Sequence, residues 1–164
     1  MLLSPIISLL VAGLLPPTAK AALVFWRTKE ILPGHRAFSK HAKNDPRISV
    51  DEIKKLVNEW PRNGMKQNEL WYRLYRQVDE TVTVRSAHRS YLLARDLCCI
   101  SLVFLALGLV IHLVQQASIV FVASYVGVLG LHYLMFAIVA RNHGNRFVRN
   151  VLVEFQNKPT PLAA

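Results

Sequence analysis

Residues 97–140 read LCCISLVFLALGLVIHLVQQASIVFVASYVGVLGLHYLMFAIVA and contain no Asp, Glu, Lys or Arg. A hydrocarbon core of roughly 30 Å takes about 20 helical residues to cross, so this run is too long for one crossing and long enough for two. Its polar break, Gln115-Gln116-Ala117-Ser118, lies near the middle. The pattern predicts two apolar helices, Leu97 to about Val114 and Ser118 to about Ala140, joined by a short turn into a transmembrane hairpin. Arg95 and Arg141 bracket the pair at one face, where long arginine stems reach the headgroups from a helix end.

Working outward, the charge is segregated. The chain has 164 residues, 52% of them hydrophobic, yet a formal net charge of +10. Residues 1–26 contain only Lys20 as a charged side chain, residues 27–96 hold 15 Lys/Arg against 9 Asp/Glu, and the tail after 140 holds 4 against 1. Both flanks of the hairpin are therefore basic while its internal turn is uncharged. The positive-inside bias puts both flanks in the cytoplasm and the turn outside, as in a bacterial inner (plasma) membrane. Anionic headgroups are the expected partner of Arg27, Lys29, Arg95, Arg141, Arg146 and Arg149, each basic residue near such a surface contributing about 1 kcal/mol.

The run Met1–Trp26 is read as a third span with its N-terminus outside, kinked at Pro16-Pro17, since proline inside a helix removes a hydrogen bond and clashes with the preceding turn. Trp26 would be its interfacial ring. Two rivals remain: a cleaved signal peptide, suggested by Ala19-Lys20-Ala21 but lacking a charged leader, and interfacial burial of residues 2–15. The expected fold is an all-α membrane protein with three transmembrane helices and a small helical cytoplasmic unit. Its partition is 1–26 N-terminal segment, 27–96 cytoplasmic unit, 97–140 hairpin and 141–164 amphipathic helix with tail.

Within 27–96, helices begin after the Pro33-Gly34 turn. Ser49-x-x-Glu52 is a capping-box pattern, followed at helical spacing by Ile53, Leu56, Val57 and Trp60 before Pro61. A second helix carries Leu70, Trp71, Leu74, Tyr75 and Val78 on one face and Arg73 and Arg76 on another. A third, from about Ser86, runs on into the first span. Trp60, Trp71, Tyr72 and Tyr75 form a candidate interaction face. Three short helices bury little surface, so the unit needs support from stem, lipid or a second subunit. After Ala140, the stripe Phe147, Val148, Val151, Leu152 and Phe155 fits either a helix lying in the headgroup plane or a straight continuation of the last span into a cytoplasmic bundle.

Inside the last span, Ala123, Gly127 and Gly130 share a face in a small-xxx-small arrangement, suited to close contact with the hairpin's first helix or with another subunit. His132 is a polar side chain in a span. A fold about residues 116 and 117 brings Ser101 to its depth as a hydrogen-bond partner, with Tyr125 on the same stripe. His35, His41 and Asp45 are the nearest approach to a ligand cluster, without a second motif to support them, and a solvated surface is the simpler reading. Cys98 and Cys99 are adjacent on one helix, which precludes easy bridging; they read as small packing residues, with S-acylation as the rival. There is no phosphate loop and no nucleophile motif, so neither a cofactor nor an enzyme is expected, and the aromatics among basic residues suit lipid or core better than nucleic acid.

No motif identifies a family. The expected function is a non-enzymatic membrane protein that self-associates as a homo-oligomer or docks a partner through its cytoplasmic unit, extending to a pore-forming or membrane-perturbing effector of a bacterial complex. The alternatives are a passive anchor recruiting a soluble protein and, further off, an enzyme acting on lipid through His35, His41 and Asp45.

Overall fold

The computed structural model describes residues 13, 15–57 and 59–158, and every described element is helical. In chain order these are α1 (Pro17–Phe25), a 3-10 turn (Pro33–Arg36) that passes into a π-helical turn (Ala37–His41), α2 (Val50–Leu56), α3 (Gly64–Val78), α4 (Val82–Val114) and α5 (Ile119–Gln156). The chain divides into two compact units, Met1–Arg27 with Leu92–Arg141, and Thr28–Tyr91 with Asn142–Ala164. The long helices α4 and α5 each contribute residues to both.

In the first unit α4 and α5 form the expected hairpin, and both are long and apolar enough to cross a membrane. The turn is built from capping chemistry. Gln116 takes a left-handed conformation (φ 51°), Ala117 N–H donates back to the His112 carbonyl at 3.1 Å, and Ser118 Oγ accepts from Phe121 N–H at 3.4 Å. The first pair closes α4 as a Schellman motif and the last opens α5 as an N-cap. Large apolar side chains such as Leu113 (74% exposed) and Ile119 (80%) line the outside of the hairpin. Burial is confined to its base, where Cys98, Cys99, Ala137 and Ala140 are buried, as are Ala21 and Val24 of α1.

Pro16 is extended (φ −63°, ψ 152°) and Pro17 is the first helical residue, a position whose N–H has no intrahelical partner in any case. α1 ends at a left-handed Trp26 after nine residues, too few to cross a hydrocarbon core at about 1.5 Å per residue. Residues 1–12 and 14, on which a full third span depends, lie outside the described residues.

The second unit has its own core of Phe38, Ile53, Val84, Val148, Val151 and Leu152. Half of the capping box is present: Glu52 N–H donates to Ser49 Oγ at 3.3 Å, but the Ser49 N–H is taken by Gln156 Oε1 at 2.7 Å instead of by the Glu52 side chain. The helix that Ser49 opens stops at Leu56 instead of continuing to Trp60, and Val57 is already extended. The chain has thus left the helix four residues before Pro61, and the Trp60 ring meets Phe38 edge-on at 5.2 Å. Asn63 caps α3, accepting from Lys66 N–H at 2.9 Å. The C-terminal stripe belongs to an unbroken continuation of the last apolar helix: α5 runs to Gln156, with Phe147, Val148, Val151, Leu152 and Phe155 buried; the side of a membrane on which it lies is a separate matter.

Candidate functional site

The first unit concentrates its polar groups at the base of the hairpin. Lys20 Nζ lies 3.0 Å from Asp96 Oδ1, with the lysine side chain 7% exposed and the carboxylate 30%. Arg95 donates to the same oxygen from Nε (3.1 Å) and Nη2 (3.0 Å). One carboxylate thus serves two cations. A buried ammonium is tolerable only with such a partner, which is why the single charge of the first 26 residues faces the single acid at the head of the apolar run.

Because α1 ends at Phe25, its last carbonyls have no helical donors. Side chains of α5 supply them: Tyr133 Oη donates to Leu23 O at 2.8 Å and Arg141 Nε donates to Val24 O. Trp26 closes the group, its Nε1 donating to Tyr133 Oη at 2.8 Å and its ring lying 3.5 Å beneath the Arg141 guanidinium. A cation at a helix C-terminus is also favoured by the helix dipole. The arrangement clamps α1 to the hairpin and holds net positive charge.

Higher in the hairpin, Tyr125 Oη donates to the Phe104 carbonyl, and a Cβ built on Gly108 would run into the Tyr125 ring. Gly108 sits four residues after Phe104, so its missing side chain opens that carbonyl to the phenol. His112 packs edge-on to Phe121 and Tyr125, each with centroids 4.9 Å apart.

The predicted packing glycines have no such contact. A Cβ at Gly127 or Gly130 would meet nothing within 4 Å, and Ala123 is exposed, so the first hairpin helix does not cover this face. The expected Ser101–His132 pairing is also absent: Ser101 Oγ donates to its own helix at Leu97 O (3.0 Å), while His132 is exposed with Phe136 at 5.7 Å. The residue facing inward is Tyr133, whose carbonyl lies 4.0 Å from Cys98 Sγ.

In the second unit the aromatic residues separate. Trp71 is buried, Tyr75 and Trp60 are half-buried and Tyr72 is exposed. Trp71 packs edge-on to Phe147 at 5.2 Å and donates from Nε1 to Val148 O at 3.3 Å. Phe147 is the hub, with His88 stacked on it at 4.7 Å and Tyr75 edge-on at 5.4 Å. Burial raises the Tyr75 phenol above its ordinary value. Gln67, to which the sequence assigned no role, holds the π-turn: its Oε1 accepts from Phe38 N–H (3.1 Å) and Ser39 N–H (2.9 Å). Beside it Gly34 is required, since a Cβ there would strike Asn68 and Trp71.

Asp45 is buried and bound to Arg47 at 2.8 and 3.0 Å, with Arg149 Nε at 3.7 Å. The Arg47 hydrogen bonds hold its carboxyl down at about 2 and raise the arginine in turn. His35 meets Leu32 O at 3.1 Å and His41 is buried. The loop trio is therefore divided among separate structural roles, and no group of three or more potential metal ligands occurs among the described residues. Of the basic residues expected to face lipid, Lys29 and Arg146 are exposed and Arg27 is half-buried beside Phe25. Arg95, Arg141 and Arg149 are engaged in the contacts above. A cleft of about 410 Å³ is floored by Leu70, Leu74 and Phe155 and rimmed by Glu59, Arg73 and Gln77.

No known protein family, curated protein or solved structure matches the chain.

Proposed function

We propose that this chain is a non-enzymatic membrane protein whose hairpin crosses the bilayer with its turn outside, self-associates through the outer face of α5, and holds the second unit in the cytoplasm for a partner. The observation that carries the reading is the pairing of a predominantly apolar, uncharged exterior with an uncovered glycine face. The most apolar window of α5 has no buried residue, whereas a core helix of a soluble domain would be mostly buried. Lipid is as apolar as leucine, so helices in a bilayer associate by close approach and hydrogen bonding, and Gly127 and Gly130 permit the close approach; the exposed His132 imidazole lies about 140° round from Gly127, on another face.

The test is the oligomeric state of the detergent-solubilised protein. Gly127→Leu should move it to a smaller species with helicity retained, while Val128→Leu should not. A monomeric wild type, or equal behaviour of the two variants, rejects self-association. Dye leakage from vesicles carrying the wild type but not Gly127→Leu would extend the reading to a pore-forming or membrane-perturbing effector.

The anchor reading is favoured by the cleft over Leu70, Leu74 and Phe155, which offers an apolar floor and a charged rim to a partner helix. It predicts stoichiometric co-purification of a soluble protein without leakage, abolished by Leu70→Glu.

A further inference from the structure

We propose that the second unit binds a phosphate-bearing ligand in the cleft between the start of α4 and the part of α5 that follows Arg141. The cleft has a volume of about 280 Å³ and is lined by Thr83, Ser86, Ser90, His143 and Arg146, with Val82 and Ala87 completing the wall. Every polar side chain in that lining can donate a hydrogen bond, and none is a carboxylate. The donors are also in register. Thr83, Ser86 and Ser90 recur at helical spacing on one face of α4, and His143 and Arg146 do so on α5, so two ridges of donors face one space.

Charge points the same way. A guanidinium is permanently charged and its planar fork suits phosphate, and hydrogen bonds to an ionised acceptor are the strong ones. Arg149, one turn on, faces Asp45, whereas no ion pair to Arg146 occurs among the described residues. Thr83 lies in the first turn of a 33-residue helix with no acidic residue in that turn. The positive end of the α4 dipole therefore adds to the field. Two acids precede the helix: Asp79 is paired with Arg76 at 2.9 Å, and Glu80 is exposed and outside the lining of the cleft. The size admits a phosphate with a short polar attachment and falls just below the range of pockets that enclose drug-sized ligands, roughly 300 Å³ upward.

Two sources share this chemistry, a membrane phospholipid headgroup and a soluble phosphate ester. Ser90 precedes the apolar run by seven residues and His143 follows it by three, so both are juxtamembrane in sequence. The lipid source rests on the membrane-spanning reading; the phosphate chemistry does not.

The test is calorimetric titration of the full-length protein in a non-ionic detergent with dioctanoyl phosphatidic acid and with glycerol 3-phosphate. Binding of at least one probe is expected, weakened about tenfold or more by Arg146→Gln and by Thr83→Val/Ser86→Ala. The double variant removes only hydroxyls and stays decisive if Arg146→Gln fails to fold. Tighter binding of the lipid supports a headgroup site, and equal or tighter binding of glycerol 3-phosphate supports a soluble ester. Silence from both probes, or affinities unchanged in the folded variants, overturns the proposal.

Discussion

His132 and Tyr133 are adjacent, and on a helix adjacency means about 100° of rotation. Folding the chain about residues 116 and 117 predicts the right depth, but it cannot fix which side chain faces the partner helix. Tyr133 turns inward because α1 ends in open carbonyls that a hydroxyl can satisfy, and α1's position is a tertiary fact absent from local pattern. The same holds in the second unit, where Trp71 was legible as a buried-face residue but its hub Phe147 comes from 76 positions later. Trp71→Ala should cost roughly 3–5 kcal/mol, read as a lowered denaturant midpoint of that unit. Asp45 gives a pH-dependent counterpart. Its folded carboxyl titrates at about 2 against an ordinary 3.8, so its stabilisation is present above pH 3.8 and lost as pH falls through about 2. Arg47 is half exposed and partly screened, which reduces the contribution to about 1 kcal/mol. Asp45→Asn should therefore be less stable than wild type at pH 6, with the gap narrowing below pH 4 in denaturation curves.

At the scale of elements, helices with strong local signals were readable. The Ser49 cap, the amphipathic face of α3 and the polar turn between α4 and α5 all follow from residues within a few positions of one another. The end of α2 was not, because Val57 and Trp60 both fit the helical stripe while the backbone is already extended at Val57 and the Trp60 ring turns to Phe38. The C-terminal stripe was ambiguous for a physical reason: an apolar face looks the same whether a protein core or a membrane surface covers it. Glycine illustrates the distinction again. Spacing drew attention to Gly127 and Gly130, yet the close approach inside the hairpin is at Gly108, a lone glycine whose meaning depends on Tyr125 opposite. Gly108→Leu should overpack this contact and destabilise the hairpin by about 1–3 kcal/mol, lowering its thermal midpoint in detergent. Gly127→Leu should leave that midpoint unchanged when both are measured on monomeric protein.

For the whole molecule, charge segregation made the apolar hairpin and its basic flanks legible, while the clamp at its base was only half visible. A single lysine in an apolar run and a single aspartate at the head of another are complementary, but their pairing needs α1 to fold back over 76 residues. Asp96→Asn should strand Lys20 in a dry site and destabilise the first unit by about 3 kcal/mol, reduced by the carboxylate's partial exposure; Lys20→Met together with Asp96→Asn should recover part of the loss. A single cysteine at Gln116 reports whether the hairpin crosses a bilayer with its turn outside and both basic flanks inside. The experiment uses a Cys98→Ala/Cys99→Ala background in sealed vesicles and a membrane-impermeant maleimide. Labelling is expected from the outer face alone, with a cysteine at Lys29 labelled only from the cytoplasmic face; labelling of Gln116 from the cytoplasmic side alone, or recovery of the protein in the soluble fraction, would rule this topology out.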